Sequence, residues 1–114
     1  MKKMSERLSR NMPLLKLLLK ARRGQRLSIL HTASDEFILA LCEIALNILR
    51  GSIPLTAKQF TKLRKQKTLI KLIANRATSL PKKRRMLKQK GGFIVPLLSV
   101  ALPFITSLFT ARRG

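Results

Sequence analysis

The chain has 114 residues, a one-domain length, and carries 25 Lys and Arg against four acidic residues, a formal net charge of +21. That charge exceeds what solubility requires and points to a polyanionic partner, while the 46 % hydrophobic content supports a small core and excludes a disordered basic tail. One cysteine, Cys42, and one histidine, His31, exclude a Cys/His zinc site and an internal disulfide, and the four carboxylates Glu6, Asp35, Glu36 and Glu43 do not suggest a paired acid/base site.

No Walker loop or GxGxxG turn occurs, so the sequence predicts a non-enzyme without metal or cofactor. Aromatics are scarce, with five Phe and no Trp or Tyr, which favours phosphate-backbone contact over base stacking. The N-terminus, MKKMSERLSRNM, is too charged for a secretory signal; an Arg-rich transit peptide is the alternative.

In chain order, Ser5 to Arg23 reads as helix, with Leu8, Met12, Leu15 and Leu19 at three- to four-residue spacing. Pro13 is expected to split it, with Asn11 as the second cap, and Gly24 to end it. Lys16, Lys20, Arg22 and Arg23 give it a basic side. A short helix follows at 25–32.

Residues 34–50 form the strongest predicted helix. Ser34 is its N-cap candidate, Asp35 and Glu36 suit the positive end of the dipole, and Gly51 suits the position after the last turn. FILALCEIALNIL is apolar on nearly every face, as in a central buried helix, and Cys42 reads as a buried structural thiol.

Thr56 and Gln59 match a capping box that opens a helix expected to run to about Asn75. Phe60, Leu63, Ile70, Ile73 and Ala74 form its apolar side; Lys58, Lys62, Lys65 and Arg76 lie opposite as candidate phosphate contacts. Ser79 caps a last basic helix bearing Lys82, Lys83, Arg84, Arg85, Lys88 and Lys90, the densest positive charge in the chain. Its KKRR also resembles a nuclear localisation signal.

Gly91-Gly92 reads as a hinge, and Phe93 to Phe109 contains no charge. As a helix this stretch covers roughly 25 Å, the short edge for a bilayer crossing, with Pro96 and Pro103 expected to kink it. Its apolar residues are Phe93, Ile94, Leu97, Leu98, Leu102, Phe104, Ile105, Leu108 and Phe109. Three readings stand: packing on the central helix, membrane insertion, or self-association and capsid anchoring. Arg112 and Arg113 would then sit at a headgroup interface.

The junction Lys88-Gln89-Lys90-Gly91-Gly92-Phe93, followed by an apolar tail, resembles small basic proteins of the Polinton/Maverick and adintovirus group. Ala40-Leu41-Cys42-Glu43, Asn47-Ile48-Leu49-Arg50-Gly51 and Pro54-Leu55-Thr56 fit the same resemblance, which covers roughly residues 8–109. The tail is also similar to the C-terminal part of adenovirus core protein X, the precursor of the DNA-condensing peptide mu. That resemblance implies a DNA-condensing part joined to a hydrophobic piece, with Gly91-Gly92 as a processing site for a viral cysteine protease. That protease prefers a large aliphatic residue four positions before the cut, where this chain has Gln89. The middle, 34–75, has no counterpart in the short adenovirus peptide.

The expected fold is all-α: a small bundle of four to five helices with a central apolar helix at 34–50 and a C-terminal hydrophobic helical segment. It divides into a basic helical domain (1–90), a hinge (91–92) and a hydrophobic tail (93–114). The expected function is a virion core or minor capsid protein, in virion and host nucleus, that binds double-stranded DNA without sequence preference. Anionic membrane, capsid proteins and a second copy of the chain are further expected partners. The alternative is a membrane-active factor that uses 93–109. A cellular ribosomal or chromatin component is disfavoured, because an exposed uncharged tail would promote aggregation.

Overall fold

The central apolar stretch folds as a helix for reasons local to it, and the rest of the chain is arranged around it. In the computed structural model, which describes residues 5–111, this helix (α3, Asp35–Leu49) begins where the Ser34 hydroxyl accepts from the Phe37 N–H at 3.1 Å. It ends at Gly51, whose φ of 76° is a left-handed conformation that L side chains resist. Phe37, Ile38, Ala40, Leu41, Cys42, Ile44, Ala45 and Ile48 are buried, so α3 is covered on most of its circumference.

Six further helices surround it: α1 (Glu6–Lys20), α2 (Arg23–Thr32), α4 (Ala57–Arg64), α5 (Lys67–Ala74), α6 (Leu80–Gln89) and α7 (Ile94–Ala111). A short 3-10 turn, Gly91–Phe93, leads into α7. The fold is all-helical, with seven α-helices among the described residues rather than four or five. The extra ones come from breaks that the sequence pattern does not announce. α3 packs on α1, α5, α6 and α7; α2 packs on α6; α4 packs on α7.

Three boundaries differ from expectation. Pro13 lies inside an unbroken α1. Pro13 and Ser9, whose carbonyl loses its helical donor, are both exposed, so water replaces the missing bond. Asn11 caps nothing; its side-chain amide donates to the Arg7 carbonyl at 2.8 Å. The chain turns at Ala21–Arg22 instead of Gly24, where the Gln25 side chain accepts from the Arg22 N–H at 3.0 Å. Gly24 sits in the first turn of α2, exposed.

The predicted 56–75 helix is two helices. Thr56 and Gln59 form the expected capping box. The run Arg64-Lys65-Gln66-Lys67-Thr68 then offers no apolar side chain to hold a continuous rod against the core. The break lets α4, with Leu63 buried, face α7, while α5 turns Ile70, Ile73 and Ala74 toward α3. Phe60, expected on the inner side, is 57 % exposed.

The uncharged C-terminal stretch forms one helix packed on α1, α3 and α4. Phe93, Ile94, Leu97, Leu98, Leu102 and Ile105 are buried in the same cluster as Leu8, Leu15, Leu18 and the α3 side chains, and Phe104 and Leu108 pack against it. Neither proline ends α7: Pro96 falls in its first turn, and Pro103 and the preceding-turn Ser99 are both exposed. Gly91-Gly92 is thus a turn between two helices that share one core. A radius of gyration of 13.3 Å matches the roughly 13 Å of a folded chain this long. The side chain of Phe109 and residues 112–114, including the expected Arg112 and Arg113 anchors, lie outside the described residues.

If α7 holds the core as this packing shows, Leu98→Ala lowers the unfolding free energy by about 2–5 kcal/mol. Urea denaturation checks it; an unchanged midpoint would mean that α7 does not pack there.

Candidate nucleic-acid interface

The four carboxylates are all occupied by arginines. The Glu43 carboxylate accepts from the Ser5 hydroxyl at 2.7 Å and the Ser5 N–H at 3.3 Å, with Arg7 at 3.8 Å. Arg10 donates to Glu36 at 2.6 Å and lies 3.7 Å from Glu6. The Arg10 hydrogen bond holds the Glu36 carboxyl below its ordinary value, against the opposing effect of partial burial. Arg84 meets Asp35 at 2.8 Å. Three of these acids sit on α3 and bind arginines of α1 and α6, so they join helices and leave the remaining bases unbalanced.

The ten cations expected to contact phosphate do not share one face. Lys58, Lys62 and Lys65 are exposed on and just after α4, and Arg76 is exposed in the turn after α5. Lys82, Arg85 and Lys90 are exposed at α6, and Lys88 is half-buried beside them.

Two residues of the KKRR cluster are withdrawn from the surface. Lys83 is only 5 % exposed. On α6 it shares the inward side with Leu80 and Leu87, three before and four after it, and a helix turns all three positions the same way. Arg84 donates to the carbonyls of Leu30 at 3.3 Å and Ala33 at 2.6 Å as well as to Asp35. It satisfies the end of α2 and ties it to the start of α3. Arg84 therefore ties α6 to α2 and α3, and neither residue stands on the outer basic surface.

The structure brings Lys88 and Lys90 to Arg23 and Arg26, a pair absent from the sequence-based site. Together with Gln66, Leu69, Leu27 and the Gly91–Phe93 turn they line a groove of about 450 Å³ whose described walls hold no carboxylate. Arg23 and Arg26 are three apart on α2 and so lie on one side of it. Placing the helix end at Gly24 hid this pair, because it assigns Arg23 to α1. Lys88 also borders a shallow depression with Arg85, whose wall includes the Arg84–Asp35 pair. Cations around an acid-free groove can hold successive phosphates of a backbone; without an exposed aromatic in its wall the groove offers no stacking platform for bases.

His31 is exposed, and Cys42 is buried on α3. Burial pushes the Cys42 thiol up, opposed by the charge of Lys83 beside it. The expected processing residues are placed differently: Gly91 is half-buried against Leu30 and Ile94, while Gly92 is exposed with nothing near it.

No family model, characterised protein or solved structure matches the chain.

Proposed function

We propose that this protein binds nucleic acid, in the first place double-stranded DNA, through sequence-independent contacts with the phosphate backbone. The observation that carries the proposal is that all four carboxylates are paired internally while a net charge of +21 remains. A compact fold with that surface repels itself, and a polyphosphate relieves the repulsion while releasing its own counterions. The Arg23–Arg26–Lys88–Lys90 groove and the exposed lysines of α4 supply the contacts. Together with the resemblance of roughly residues 8–109 to small basic proteins of the Polinton/Maverick and adintovirus group, and of the tail to adenovirus core protein X, this favours a virion core or minor capsid role, in virion and host nucleus.

A second reading, a membrane-active factor, rests on one feature: the helical stretch Gly91–Leu108, the 3-10 turn and most of α7, is long and apolar enough to cross a bilayer. Its buried side chains would exchange a protein core for lipid at little cost. The cost falls on Leu8, Leu15 and Leu18 of α1, which would lose their cover at about 1.5–3 kcal/mol each. The DNA reading needs no such opening.

For DNA binding, log K against log salt has a slope steeper than about −3.5, set by at least four neutralised phosphates, and duplexes of unrelated sequence bind alike. Fluorescence anisotropy over a salt series measures it; a shallow slope or a sharp sequence preference contradicts the reading. Liposomes of anionic lipid stay sealed in the presence of the full chain. Leakage that disappears on deletion of 93–114 would favour the membrane reading.

A further inference from the structure

A second cavity, of about 310 Å³, lies between the first turn of α1, the outer side of α3, the turn after α5 and the inner side of α6. Arg7, Arg50, Arg76 and Lys83 reach it from four separate segments, and Cys42 and Glu43 lie in its wall. Its volume is at the low end for small-ligand cavities. Glu43 is its one carboxylate, and that group is already held by Ser5 and Arg7. Among the described residues it leaves Arg50, Arg76 and Lys83 without an ion-pair partner.

Two donors here are in unfavourable surroundings. The Arg7 Nε is fully buried with no acceptor. Lys83 is 5 % exposed and has no carboxylate within ion-pair distance among the described residues; its recorded polar neighbour is the Cys42 thiol. A buried N–H without an acceptor and a buried ammonium without a counter-charge are each costly. An anion with several acceptor oxygens relieves both at once and adds charge-assisted bonds to the arginines at the rim.

We infer that this cavity binds a phosphate dianion, and that its source is the terminal phosphomonoester of a nucleic acid strand. A phosphodiester within a duplex continues as chain on both sides and offers two free oxygens along a convex rod. A terminal phosphate has chain on one side only and three free oxygens, so it can point into a half-open recess whose donors come from several directions. The cavity thereby recognises strand ends, whereas the α2–α6 groove holds backbone. The choice of source rests on the nucleic-acid reading; the phosphate chemistry does not.

The test uses the full chain and two probes. One is a pair of short duplexes of identical sequence, with 5′-phosphate or 5′-hydroxyl ends, at a salt concentration that suppresses backbone contacts. The other is inorganic phosphate, scored by thermal melting against chloride at equal ionic strength. The 5′-phosphorylated duplex binds about tenfold tighter, and inorganic phosphate raises Tm. Both effects vanish in Arg50→Gln/Arg76→Gln and in Lys83→Met, which keeps the side-chain volume. Both persist in Lys16→Gln/Lys20→Gln, which removes surface charge from α1. A phosphate effect confined to inorganic phosphate, yet lost in the cavity variants, supports the site with free phosphate as its source. Equal responses of cavity and α1 variants overturn the inference. Failure of both duplexes to bind at low salt counts against the nucleic-acid reading alone, and the inorganic phosphate arm still decides the cavity.

Discussion

The surface of the fold is governed by a shortage of negative charge. Four carboxylates stand against 25 basic side chains, and three of the four lie on α3. Each of those three reaches an arginine on another helix: Glu36 and Glu43 hold α1, and Asp35 holds α6. Exposed ion pairs contribute little stability individually, and the cohesion comes from the apolar surface of α3. The pairs decide something else. They absorb the compensating charge of α3, so the outer faces of α2, α4, α5 and α6 carry cations and no acid.

That arrangement explains how one chain combines a dense cationic surface with a dry interior. α7 supplies the second half of the core without adding charge, and it seals α1 against α3. The cationic side chains are divided by task. Arg84 joins α2 to α3, Arg7 and Arg10 join α1 to α3, and Lys83 is enclosed beneath α6. Arg23, Arg26, Lys88 and Lys90 line an open groove. Density of charge along the sequence is therefore a poor guide to which cations face a ligand.

The central helix was legible in the sequence because every local signal agreed: a serine cap, acids in the first turn, an all-round apolar interior and a glycine after the last turn. The capping box at Thr56 and the cap at Ser79 were equally plain. The split of 56–75 was not, because Leu63 and Ile70 are seven residues apart and lie on one side of any continuous helix; only the positions of α7 and α3 require them to face different partners. The burial of Lys83 was readable from its spacing to Leu80 and Leu87, but the KKRR run masks that pattern. The meeting of Arg23 and Arg26 with Lys88 and Lys90 depends on contacts between residues more than 60 apart in the chain, which no local pattern encodes.

The claim that the acid-free groove between α2 and α6 carries phosphate binding is tested most directly by Arg23→Gln/Arg26→Gln/Lys88→Gln/Lys90→Gln. The measurement is the slope of log K against log salt for duplex DNA, beside the native chain. The account predicts a slope shallower by about 3.5, for four lost phosphate contacts, with native stability retained. An unchanged slope would contradict it and place the contacts elsewhere on the surface.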